Sequence, residues 1–343
     1  KAENSYTDTM MSGTRTLQDS LFHELKSRIR EKDESVPVFY NGYYYYTRTE
    51  EGQQYFKYCR RKDSLQAPEE LLLDVDELAK GHAYFAVSNF SISPDNNLLA
   101  YGVDDVSRRQ YTLHIKNLAT GEVLKDAIRN TDGKAVWAAD NKTIFYTAKN
   151  PVTLLGEKIK RHQLNTDPAQ DVVVYEEKDN TNYINVSRAK SGKYIFIRSA
   201  GTLSSEIRMI RSDRPQDAFK VFQPRMKDVL YSVAALDDKF IIRTNWKAKN
   251  FRLMECQPDQ TGQENWKELV PGRENVLLAG VEEFRNFLVL SERSNGLVQL
   301  RVLNLKGGEH AIDFGEPAYT AAIGANPEYQ SDTLRYIYSS LTT

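Results

Sequence analysis

One recurring pattern constrains this chain more than any other. A short turn rich in Asp, Asn, Gly or Lys leads straight into a run of consecutive apolar residues, and the pair returns through most of the sequence. SPDNNLLAY starts at Ser93, AADNKTIFY at Ala138, AKSGKYIFI at Ala189, ALDDKFIIR at Ala235 and VEEFRNFLVL at Val281, with a weaker echo, GANPEYQSDTLRYIYSS, from Gly324. A period of roughly 43 to 50 residues is the size of a four-stranded propeller blade. The apolar runs decide between architectures. Side chains alternate across a strand, so a sheet with one wet face reads apolar–polar, whereas a sheet covered on both faces is apolar at successive positions. LLAY, IFYT, YIFI, FIIR and FLVL are of the second kind, which favours a propeller over paired β-sandwiches.

The predicted fold is therefore all-β, a seven-bladed β-propeller preceded by an N-terminal arm and one α-helix. Residues 1–35 form the arm and helix, and 36–343 the propeller. Six full units are expected at 36–80, 86–130, 134–178, 182–226, 228–272 and 275–315. A seventh begins near Pro317 and offers only two strands, AYTAAIGA and TLRYIYSS, so the last blade is expected to be incomplete. The helix is read over 14–34, where Leu17, Leu21, Leu25 and Ile29 recur at helical spacing beside Phe22, with Thr16 as its N-cap. Pro37 bars its continuation, and the residues before Thr14 read as an extended polar arm. The helix's charged face mixes acids and bases, which points to docking on a protein surface rather than on a membrane.

The run Tyr43–Tyr46 raises the question of a stacking platform for nucleic acid, with Lys57, Arg60 and Arg61 close by. Such a platform needs free rings backed by a positive field. The chain has 46 Lys and Arg against 47 Asp and Glu, and Glu50 and Glu51 adjoin the run, so blade packing is the better reading. No nucleic-acid partner is expected, and no apolar run reaches the roughly 20 residues that span a bilayer. No signal peptide is visible, and two widely separated cysteines, Cys59 and Cys256, imply no disulfide framework. A cytoplasmic location is expected, without excluding a periplasmic one.

No catalytic motif is expected in this chain. A hydrolase nucleophile on a strand-to-helix elbow needs G-x-S-x-G, and the sequence has no such pentad; SAGTLSSE around Gly201 is the nearest Ser/Gly cluster. His23, His82, His114, His162 and His310 carry no partner motif and are read as structural or surface residues. Metal-ligand spacings and a phosphate loop are missing, so neither a metal nor another cofactor is expected. The acidic pairs Asp104-Asp105, Glu176-Glu177, Asp237-Asp238 and Glu282-Glu283 are read as solvated turns and loops rather than as glycosidase acids. Arg225, Arg243, Arg273 and Arg335 are candidates for interdomain ion pairs, with ordinary solvated charge as the alternative.

Several stretches resemble a known family. ENSYTDTMMSGTRTLQDSLFHELKSRIREKDESVPVFYNGYYYYTRTEEGQQYFKYCRR, EELLLDVDELAKGHAYFAVSNFSISPDNNLLAYGVD, VWAADNKTIFYT, RHQLNTDPAQDVVVYEE and TLRYIYSSLTT are similar to the N-terminal region of the oligopeptidase B group in the prolyl oligopeptidase family of serine peptidases. The similarity runs from Glu3 to Thr343. It implies a propeller that sits over an α/β-hydrolase domain of the same protein, with the N-terminal arm and helix packed largely on that domain. It further implies cleavage of short basic peptides after Arg or Lys by a Ser/Asp/His triad outside this chain, which alone is expected to be inactive. The alternative is a freestanding β-propeller interaction module.

Overall fold

In the computed structural model, residues 1–342 are described. The chain divides into two compact units, one of residues 1–37 and 44–80, the other of 38–43 and 81–343.

At its N-terminus the first unit carries two helices, α1 (Ala2–Met10) and α2 (Arg15–Ser27), joined by a single 3-10 turn at Ser12–Thr14, and it ends near a one-turn helix at Val75–Leu78. The expectation of an extended arm before Thr14 is corrected by α1. AENSYTDTM has no apolar face and buries none of its residues, so the periodicity that betrays α2 is missing there. The expected cap is corrected as well: Thr14 stands at the N-cap of α2, without a side-chain capping bond, and Thr16 lies inside the helix. The same unit holds all but the first residue of the strand Tyr43–Arg48 and the strands Lys57–Lys62 and Glu69–Asp74, adjacent in that order in one sheet. Tyr46 is the most buried of the four tyrosines. Its hydroxyl donates to Glu69 Oε2 at 2.5 Å and accepts from Arg61 Nε at 3.0 Å. The run therefore serves a blade, as its sequence context suggests.

In the second unit, blades 2 to 7 follow the repeat closely. Blades 4, 5 and 6 are four-stranded antiparallel meanders over 183–223, 231–270 and 277–311. Blades 2 and 3, over 86–131 and 136–176, share one eight-stranded sheet, because Ala148 of blade 3 pairs with Thr131 of blade 2. Blade 7 has two strands, Tyr319–Ile323 and Tyr336–Ser340. Asn41 fastens the 38–43 segment to both ends of this series. Its amide N–H donates to Glu328 Oε2 at 3.1 Å, and its side-chain Nδ2 donates to the Pro94 carbonyl at 2.9 Å.

The turns that open each repeat are tight for a stated reason. Asn96, Asn141 and Gly192 sit between the first and second strands of blades 2, 3 and 4, all at positive φ, a conformation that Asn and Gly adopt most readily. The second strands then bury both faces. Ile144 and Tyr146 pack toward blade 2, while Phe145 between them packs toward blade 4. Ile195 and Ile197 face blade 3 and Phe196 faces blade 5. Phe240 and Ile242 face blade 4 while Ile241 faces blade 6, and Leu288 and Leu290 are divided from Val289 in the same way. Burying a side chain of this size stabilises by about 1.5–3 kcal/mol. Consecutive apolar residues are thus the mark of a sheet with no wet face.

Candidate functional site

The first strands of several blades, with the segments just beyond them, converge on a cleft of about 710 Å³ in the second unit. Blade 4 contributes Ser187, Arg188 and Lys190, blade 5 Val233, and blade 6 Glu282 and Glu283. Tyr40 and the segment 324–327 complete the wall. The turn chemistry of blade 4 places its cations. Arg188 ends the first strand, and its Nε and Nη2 donate to the Gly192 carbonyl at 3.2 and 3.1 Å. Gly192 has φ +75°, and a Cβ there would lie 3.2 Å from Arg188 Nη2, so glycine fits both the turn and the guanidinium. Lys190 reaches across to blade 6, where its Nζ donates to Glu282 Oε1 at 2.6 Å and lies 3.7 Å from the centre of the Phe284 ring. Burial pushes the Glu283 carboxyl up to about 7; Glu282 adds to the shift and Lys190 opposes it. The reading of Glu282-Glu283 as a solvated turn is corrected: both end a strand and line this cleft.

The other acidic pairs divide. Asp104 is buried and caps its own loop, accepting from the backbone N–H of Val106 and of Arg109 at 3.0 and 2.7 Å. Glu177 accepts from Ser199 Oγ and Tyr175 OH. Asp237 pairs with Lys193 and Arg285. None of these sets two acids across a shared space in the way glycoside cleavage requires.

Four of the five histidines lie in ordinary surroundings. His23 sits on exposed α2, His82 lies tilted against Phe85, His114 packs against Tyr101, and His310 is exposed. His162 is different. It is wholly buried, with Nδ1 2.6 Å from Asp171 Oδ1 and Nε2 2.9 Å from Asp126 Oδ1. Tyr146 OH donates to the other oxygen of Asp171, and the Asn165 N–H donates to Asp126. Burial alone would discharge the ring, but its hydrogen bonds to Asp171 and Asp126 outweigh that and raise its pKa. No spacing rule finds this trio, because Asp126 comes from blade 2 and its partners from blade 3. Sealed from solvent, it is a hydrogen-bonded staple between blades 2 and 3.

Arg225, Arg243 and Arg273 are also engaged within the unit. Arg225 donates to Ser199 and Ser204, Arg243 to the Leu278 carbonyl at 2.7 Å, and Arg273 pairs with Glu292. Around Gly201 the chain makes a hairpin, with Gly201 N–H donating to the Ser204 carbonyl, and no helix follows. It has no elbow geometry.

Comparison with known proteins accounts for this blade series. Residues 1–343 match the family described as prolyl oligopeptidase, N-terminal beta-propeller domain. The chain belongs to that family. It is 40% identical to "Dipeptidyl aminopeptidase BI" of Pseudoxanthomonas mexicana over all of its own length and 49% of that protein's. It is 31% identical to "Protease 2" of Moraxella lacunata, covering 99% of itself and 50% of that protein. Among solved structures, oligopeptidase B from Leishmania major superposes with a TM-score of 0.93 at 27% identity, over 99% of this chain and 50% of that one. The chain thus spans about half the length of these relatives. As an oligopeptidase-family propeller, it is described by its inner cleft and by its exposed helical face. On α2, Leu17, Phe22 and Leu25 are each about 60% exposed (59, 62 and 61%), and Ile29 just beyond it is 67% exposed.

Proposed function

We propose that this chain is the access-limiting propeller of a serine peptidase that hydrolyses short peptides after Arg or Lys, with the catalytic residues on an α/β-hydrolase domain of the same protein. The observation that carries the reading is the α2 stripe. Four large apolar side chains at 17, 22, 25 and 29 stand in water on a unit whose blade strands are packed, and an unpartnered amphipathic face of this kind is a docking surface. Relatives about twice as long as the chain supply room for the docked domain. In this reading residues 1–35 pack on the hydrolase domain while 36–343 form the propeller. Access past the blades favours short, flexible peptides over folded proteins, and the hydrolase domain performs acyl transfer with an oxyanion hole. Cys59 and Cys256, both free and buried, suit a reducing cytoplasm.

The test uses the complete protein and a series of short chromogenic peptides. Cleavage after Arg or Lys at least about tenfold more efficient than after Pro or a neutral residue is expected. Equal cleavage after uncharged residues, or release of dipeptides regardless of the residue before the scissile bond, would overturn the specificity. The chain by itself is expected to be inert toward the same peptides, and turnover blocked by a serine-directed inhibitor would contradict that.

A further inference from the structure

The inner cleft holds a cation that the fold does not neutralise. Among the described residues Arg188 enters no ion pair, although its neighbours in the cleft do: Lys190 is matched by Glu282. The guanidinium is held by one acceptor, the Gly192 carbonyl, through Nε and Nη2. That carbonyl is itself fixed by Ser212 Oγ at 2.5 Å, so the fork is oriented before any ligand arrives. Burial keeps the Arg188 pKa below its ordinary value, with only Tyr40 acting the other way. A partly desolvated guanidinium without a carboxylate partner is a costly arrangement. It becomes favourable when an anion supplies charge-assisted hydrogen bonds.

We propose that this cleft binds the C-terminal carboxylate of a short peptide, with Arg188 as its anchor. The charge around Arg188 selects the kind of anion. Glu282 and Glu283 share the wall, which disfavours a dianion such as phosphate. A single carboxylate matches a single guanidinium. Phe196, Val233, Ala325 and Pro327 line the same space and offer apolar contact to the residues before the terminus. The peptide as source rests on the proposed peptidase function; the carboxylate site itself rests on the cleft and on the oriented, unpaired Arg188 fork.

The experiment is calorimetric titration of the chain at low ionic strength and near-neutral pH with acetyl-tetra-alanine as free acid, the same peptide as C-terminal amide, and sodium acetate. The acid is expected to bind at least about tenfold more tightly than the amide, and Arg188→Gln, which keeps a donor for the Gly192 carbonyl, is expected to reduce the acid to the level of the amide. Equal binding of acid and amide, no binding of the acid, or unchanged binding by a folded R188Q chain overturns the site. Acetate binding as tightly as the peptide acid leaves the carboxylate site standing and overturns the peptide as its ligand. Should R188Q lose its native circular dichroism, the acid-to-amide ratio on the unaltered chain decides.

Discussion

The helical arm and the blades solve opposite problems with the same kind of residue. In blade 5, Phe240, Ile241 and Ile242 are essentially inaccessible, each held by a neighbouring blade. On α2, Leu17, Leu21, Leu25 and Phe22 have equal hydrophobicity and no cover; neither helix buries a single residue. The blades stabilise themselves by stacking. The arm's apolar stripe contributes nothing to the folded chain as it stands, which is why it is the place to look for a partner. Substitutions in the two regions should therefore differ sharply.

The largest effects are expected in the blades. Phe240 is fully buried and meets Phe222 edge-to-face at 5.1 Å and Tyr194 at 5.0 Å. Phe240→Ala should destabilise by about 3–5 kcal/mol in urea unfolding, and a loss below about 1 kcal/mol would mean that blades 4 and 5 do not share this core. His162→Ala should cost a similar amount, about 3–5 kcal/mol, because it strands the carboxylates of Asp126 and Asp171.

The staple also has a pH signature. Since the folded pKa of His162 is raised, its contribution is complete below the unfolded value of about 6.5 and disappears as the pH rises through the higher folded value. Unfolding free energies measured from pH 6 upward should fall in the unaltered chain and lose that component of slope in His162→Gln. A slope retained in the variant would show the ring to be neutral at the start.

Next in size is Tyr46→Phe, which removes the hydroxyl between Glu69 and Arg61 and should destabilise by about 1 kcal/mol. The smallest effect belongs to the arm: Leu25→Asp should change the stability of the chain by no more than about 0.5 kcal/mol. A loss near that of Phe240→Ala would erase the contrast between arm and blades.

Most of the blade series was legible because its signals are local. An apolar run such as Ile144–Tyr146, and a turn residue at positive φ such as Asn141, can be read without knowing what lies opposite. Helix α1 escaped because propensity and backbone bonding shape it without any buried face. The His162 staple and the inner cleft escaped for a different reason. Asp126 and His162 meet only because blade 2 stacks on blade 3. Lys190, in the turn after the first strand of blade 4, and Glu282, on the first strand of blade 6, meet only because the two blades converge on one cleft. Pairings between repeats leave no trace in the spacing within a repeat. The acidic doublet at 282 and 283 was visible, but its burial was not.

Hydrogen–deuterium exchange, compared between this chain and the complete protein, tests the account most directly. The amides of α1 and α2 should exchange rapidly in the chain alone and become protected in the complete protein, while second-strand amides such as those of 241 and 289 stay protected in both. Equal protection of α2 in the two samples would contradict a docking role for its apolar face and, with it, the proposed place of this propeller in a larger peptidase.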